Sequence, residues 1–331
     1  MIRLVQFLSH LGQRQIGVPS DDGALLQTLS DFDRIYDLAC EAIRSQVKLE
    51  RLIESHLSGE FVDYQQIVDQ RRLLPPLDHK DPARCFVTLT GLTHLGSAKS
   101  RDEMHALLSP ELLTDSARMF QIGLQGGKPE AGQVGAQPEW AYKGDGRCIV
   151  PPEHPLTQPA FAEDGGEEAE IAGLYVIGDD GTPWRVGFSL GNEFSDHLLE
   201  SRNYLYLAHS KLRQCSIGPE LLIADLPQSV TGSVGIVRRR ELIWTGSFQS
   251  GELHMSHSIA NLEHHNFKYE LFRRPGDVHV HFFGANSVSF GAKVRAQEGD
   301  VFEVDVPLFG RPLRNALEID HTSALIKVKS L

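Results

Sequence analysis

Apolar positions recur along the chain at two spacings. From Asp31 to about Ser45, Ile35, Leu38, Ala39, Ala42 and Ile43 fall three and four residues apart, which predicts an amphipathic helix. A second such segment, Leu49–Leu57, stops at Gly59, a residue suited to cap a helix C-terminus. Strand character marks Arg3–Leu8, Cys85–Leu89, Ser233–Trp244, Asp277–Phe283 and Gly299–Val306. Pro75 and Pro76 make Leu73–Leu77 an extended connector, because proline restricts itself and its predecessor. Arg101–His105 reads as a helix start, with Asp102 and Glu103 in the first turn. The glycine-rich stretch Gly123–Pro138 reads as a mobile loop or lid. Ser256–Lys268 reads as a helix rich in histidine, and Arg238-Arg239-Arg240 as a solvated edge or an interface.

The densest chemistry lies in Gly166–His197. Glu168 and Glu170 flank one residue and lead into the apolar run Ile171–Ile177, so on a strand both carboxylates project from one face. Asp179-Asp180-Gly181 is turn chemistry, Trp184–Leu190 the returning strand, and Glu193 follows it closely. A hairpin would thus gather three carboxylates. Two unit charges about 4 Å apart repel by roughly 4 kcal/mol at an effective dielectric near 20, so such a cluster needs protons or a cation. All-oxygen ligation suits Mg²⁺, Mn²⁺ or Ca²⁺. A strand whose wet face merely carries two glutamates has the same local pattern.

Bulk properties narrow the class. With 331 residues the chain suffices for one large or two ordinary domains, and 41% hydrophobic with 23% charged residues is a globular composition. A formal net charge of −12 argues against nucleic acid or an anionic membrane as partner. No stretch approaches about 18 apolar residues, and the N-terminal segment lacks signal-peptide character. Cys40, Cys85, Cys148 and Cys215 are scattered, with no C-x-x-C pair, so reduced thiols in a cytoplasmic protein are expected.

Five blocks carry a resemblance: Glu168-Ala169-Glu170, Gly187-Phe188, Asn192-Glu193-Phe194-Ser195, Lys211, and Cys215-Ser216-Ile217-Gly218-Pro219. Together they resemble the fumarylacetoacetate hydrolase superfamily. The resemblance implies that Glu168, Glu170 and Glu193 bind Mg²⁺ or a similar ion, although the third position is normally Asp. In the loop Gly91–Ser97 the superfamily's hydrolases carry a water-activating histidine where this chain has Ser97. A serine there is similar to the branch that dehydrates 2-keto-3-deoxy sugar acids. His94, three residues early, could supply the missing base but is expected to be structural or to support the site from behind it. Gln137–Gly144 resembles a segment of that branch whose glutamate, here Glu139, lies in the active site; Asn203–Lys211 resembles another, with its lysine at Lys211. Phe283-Gly284-Ala285 replaces a T-G-T that helps hold the substrate carboxylate, which leaves the Gly284 backbone and Asn286 or Ser287 for that task. The end, Gly299–Val306 and Gly310–Asn315, resembles the superfamily's closing block, so the likeness spans about residues 84–318.

The fold implied is α+β, mostly β: a mixed β-sandwich roll after a small N-terminal α/β domain, with domains at 1–125 and 126–331. The implied activity is that of a Mg²⁺-dependent lyase dehydrating a 2-keto-3-deoxy sugar acid in carbohydrate catabolism. Lys211 and Glu139 would carry protons in undecided order, and Ser97, Gly284 and Asn286 would bind substrate. Two alternatives stand: C–C hydrolysis or decarboxylation of an acylpyruvate-like diketo acid, and a non-catalytic member that binds metal and keto acid. The expected partner is a small keto acid, in a homo-oligomer of two or four copies. His254, His257, His264, His265, His279 and His281 invite a zinc reading, but no carboxylate or cysteine stands at zinc spacing, so packing or a subunit contact is expected.

Overall fold

The computed structural model describes residues 1–96, 114–322 and 324–331. The N-terminal strands β1 (Ile2–Leu8), β2 (Arg14–Pro19), β3 (Leu25–Leu29) and β4 (Leu57–Asp63) form an antiparallel meander. Helices α1 (Ile35–Ser45) and α2 (Leu49–Ser55) cross between β3 and β4, and α3 (Tyr64–Asp69) follows with Asp63 as its cap. The periodic residues of α1 do what their spacing predicts: Ile35, Leu38, Ala39 and Ala42 are buried in one cluster with Ala172, Leu174 and Val176. Each fully buried Ile or Leu there contributes roughly 1.5–3 kcal/mol. Gly59 caps nothing. The chain leaves α2 at Ser55 because Leu57 pairs with Leu29, and Gly59 lies inside β4.

The remaining strands are β5 (Cys85–Gly91), β6 (Glu139–Asp145), β7 (Ile149–Val150), β8 (Leu156–Gln158), β9 (Ala169–Ile177) and β10 (Pro183–Asn192). They continue with β11 (Cys215–Ile217), β12 (Leu221–Ile223), β13 (Val230–Arg238), β14 (Glu241–Ser250), β15 (Val278–Phe282), β16 (Val301–Asp305) and β17 (Leu313–Ile319). The larger sheet runs β4-β3-β2-β1-β12-β10-β9-β15-β5-β6, with β11 paired to β10 and β7 to β11; the smaller runs β14-β13-β16-β17-β8. Both are mixed: β15 lies parallel to β5 and β17 parallel to β8. Strands from either side of residue 125 share the larger sheet, since β1 pairs with β12 and β5 lies between β15 and β6.

β9 is buried along its whole length, which explains a run of apolar residues without alternation. Ala169 and Ile171 join a second cluster with Phe188, Leu190, Val234 and Val304, so the hairpin β9–β10 is the wall between two cores. Two expectations are corrected. Ser233–Trp244 is two strands, folded back at Arg239 and Arg240, whose φ values of 51° and 71° make the reversal. Gly123–Pro138 begins inside α4 (Asp115–Gly126), and its loop is fastened to α7 (Ile259–Phe267). Asn261 accepts from Gly135 N at 2.9 Å and donates to Ala136 O at 2.8 Å.

Candidate active site

The β9–β10 ladder runs on past the strand ends. Glu193 N donates to Glu168 O at 2.9 Å, and Gly166 and Ser195 exchange two hydrogen bonds of 3.0 Å. The Asn192 side chain locks the opening by accepting from Glu168 N and Phe194 N. Glu168 and Glu170 share a strand face and Glu193 faces them across the ladder, so one oxygen from each lies within 4.8 Å of the others. Burial pushes Glu170 well above the usual carboxylate range, and repulsion from Glu193 and Glu168 adds to it. Its Oε2 accepts from Gly284 N at 2.6 Å, and among the described residues no ion pair reaches it. A buried carboxylate repelled by two others, in an all-oxygen donor set, fits a hard divalent cation.

Two lysines frame the cluster. Lys211 ends the short helix α6 (Leu207–Lys211) and contacts Glu168 Oε1, Glu193 Oε2 at 3.1 Å and Glu200 Oε2 at 3.4 Å. Its ammonium also donates to Ser195 Oγ at 3.2 Å. Burial alone would draw the proton off, but the Glu168, Glu193 and Glu200 carboxylates outweigh it and hold Lys211 charged well above its ordinary range. Lys143 lies 2.6 Å from Glu193 Oε1 and donates to Phe194 O and Lys211 O. His197, at the start of α5 (His197–Arg202), brings Nε2 to 3.0 Å from Glu168 Oε1. Burial raises Glu168, yet Lys211 and His197 carry it well below the carboxylate range. Above the carboxylates opens a cavity lined also by Leu89, Gly91, Glu139, Gly284, Ala285 and Ser287.

No protein-family model matches the chain, and no curated protein sequence does. Solved structures do. A 2-keto-3-deoxy-D-arabinonate dehydratase in its apo form superposes with a TM-score of 0.69 at 18% identity, covering 97% of this chain and 100% of that one. The same enzyme complexed with magnesium and 2,5-dioxopentanoate gives the same values. A fumarylacetoacetate hydrolase from Exiguobacterium antarcticum reaches 0.58 at 19% identity, over 97% and 100% of the two chains. The fold is that of the fumarylacetoacetate hydrolase superfamily.

Within this superfamily fold, the residues expected from sequence divide clearly. Glu168, Glu170, Glu193 and Lys211 meet, and Glu139 and Gly284 line the same cavity. Glu139 rests over Gly91: a Cβ there would fall 1.9 Å from Glu139 Oε1, so the close approach requires glycine. Of the pair Asn286 and Ser287, the two lie differently. The Asn286 amide lies against Gly96, where a Cβ would meet Oδ1 at 2.3 Å, and Ser287 lines the cavity. Ser97 lies outside the described residues. His94 is fully buried, hydrogen-bonded at Nε2 with Ser250 and at Nδ1 with Thr93, and burial pushes it down to about 3. His279 stacks on Phe86 and meets Phe267 and Phe272 edge-on, while His281 Nδ1 pairs with Thr88. Lys143, His197 and Glu200 were missed. For Lys143 the signal existed: Glu139, Ala141 and Lys143 are the buried, alternating positions of β6.

Proposed function

We propose that this protein is a divalent-metal-dependent hydro-lyase of the fumarylacetoacetate hydrolase superfamily, acting on a 2-keto-3-deoxy sugar acid. The observation that carries the reading is that Lys211 reaches Glu168 and Glu193 in one cavity with Glu139. The superposition with a dehydratase that binds magnesium and 2,5-dioxopentanoate supports it. Burial of His94 away from the cavity lining speaks against a hydrolytic use of that histidine.

Glu168, Glu170 and Glu193 would hold the ion, whose chemistry is that of a Lewis acid for the charge that develops on a 2-keto acid. Glu139 removes the C3 proton. The C3–H electrons form the C3=C4 bond as the C4–O bond breaks, and Lys211 delivers a proton to the departing hydroxide, which leaves as water. Gly284 N, already aimed into the cavity at Glu170, positions the floor on which the substrate's acid end rests. A panel of 2-keto-3-deoxy acids and acylpyruvates, with and without Mg²⁺ and analysed by mass spectrometry, tests the assignment. Loss of one water from a deoxy acid is expected. Pyruvate release from a diketo acid, without any dehydrated product, would overturn it in favour of C–C hydrolysis.

A further inference from the structure

Cys148 and Cys215 are distant in sequence and adjacent in the fold. β7 and β11 pair in parallel, with Cys215 opposite Ile149 and Ser216 opposite Val150. This register sets the two Sγ atoms 3.9 Å apart. Cys215 is sealed in the core, whereas Cys148 is half-buried and opens on a groove lined by Lys143, Asp145, Arg147, Thr157, Arg213 and Gln214. The two thiols are also unlike. The hydrogen bond from Cys215 draws Cys148 down, with Lys143 assisting against burial, while burial holds Cys215 well up. One thiol reaches the groove, and the other lies behind it, placed to resolve an oxidised partner.

We propose that Cys148 and Cys215 are a reversible dithiol–disulfide site, oxidised by hydroperoxides and coupled to the carboxylate cluster through Lys143. The Cys148 thiolate attacks hydrogen peroxide, the O–O bond breaks, and a sulfenic acid forms while the leaving hydroxide takes up the proton lost by the thiol and departs as water. Cys215 Sγ then attacks that sulfur, the S–O bond breaks, and the oxygen leaves as a second water. Two thiols thus lose two electrons and two protons to one hydrogen peroxide, and an external thiol reverses the change. Closure brings the sulfurs from 3.9 Å to about 2.05 Å. Gly144, directly after Lys143, is packed so closely that a Cβ on it would stand 3.1 Å from Cys148 Sγ. Movement of Cys148 therefore reaches Lys143, whose ammonium fixes Glu193 Oε1 and the carbonyls of Phe194 and Lys211 together.

The coupling rests on the metal reading above; the disulfide does not. Peptide mapping after hydrogen peroxide, without reduction, is expected to recover a Cys148–Cys215 linked peptide in wild type and in Cys40→Ser/Cys85→Ala. Dithiothreitol should abolish it, and Cys148→Ser should never form it. Recovery of Cys148 as sulfinic acid, linked to Cys85, or joined between chains overturns the site. Calorimetric titration with Mn²⁺ should find the oxidised protein about tenfold weaker than the reduced, the scale of disturbing the partners of metal ligands. A formed disulfide with unchanged affinity overturns the coupling. If reduced protein binds no Mn²⁺ at all, the metal reading fails and the mapping still decides the disulfide.

Discussion

Lys211 answers three carboxylates at once, which separates its role from theirs. Lys211→Met should lower kcat by roughly 10²-fold or more, the scale of losing a positioned proton donor, while Mn²⁺ still binds. Glu168→Gln and Glu170→Gln should instead remove Mn²⁺ binding in the same titration, with far-ultraviolet dichroism unchanged. Gly91→Ala probes Glu139 without touching its charge. The added methyl claims the place of Oε1, and a displaced carboxylate is expected to cost about 10²-fold in kcat with little loss of thermal stability. Steady-state kinetics beside a melting curve checks both halves. The acidic triad was legible because a strand's period of two is strict and the turn Asp179–Gly181 is conspicuous. His197 and Glu200 were not, since both arrive on a short helix after the hairpin, and its return over the cluster is set by tertiary packing rather than by any spacing.

Among elements, strands announced by alternation or strong β character were readable, and those defined only by their neighbours were not. β16 alternates and was found; β11 and β12 are three residues each and exist because β10 and β1 lie beside them. The β13–β14 reversal escaped notice because Arg239 and Arg240 adopt positive φ where Gly or Asn would have signalled it. The glycine-rich stretch misled in the opposite sense, for composition cannot reveal that Asn261 staples it. Asn261→Ala removes both bonds to the 127–138 loop. Its amides, Gly135 above all, should exchange faster with deuterium, and stability should fall by about 1–3 kcal/mol in urea unfolding. Unchanged exchange at Gly135 would show that other contacts hold the loop.

For the molecule as a whole, buried histidines set the acid limit. Burial lowers His94, His279 and His281 each to about 3. Unfolding exposes them to water, where they take up protons below about pH 6.5. Their stabilising share is thus complete above that value and is lost as pH falls towards 3, by about 1.4 kcal/mol per pH unit for each histidine. Urea unfolding from pH 7 to 5 should show this decline, and His279→Phe should reduce its slope. The same sheet also fixes an order of assembly. β9 and β10 meet through a short local turn, but Thr88 of β5 meets His281 of β15 across 193 residues of chain. Closing that separation costs entropy before any contact returns it, so β15 is expected to dock late. A ribosome-bound chain that has not yet released β15 would hold β9 with an unpaired rim of amides and carbonyls, open to the strands of its neighbours on the same message.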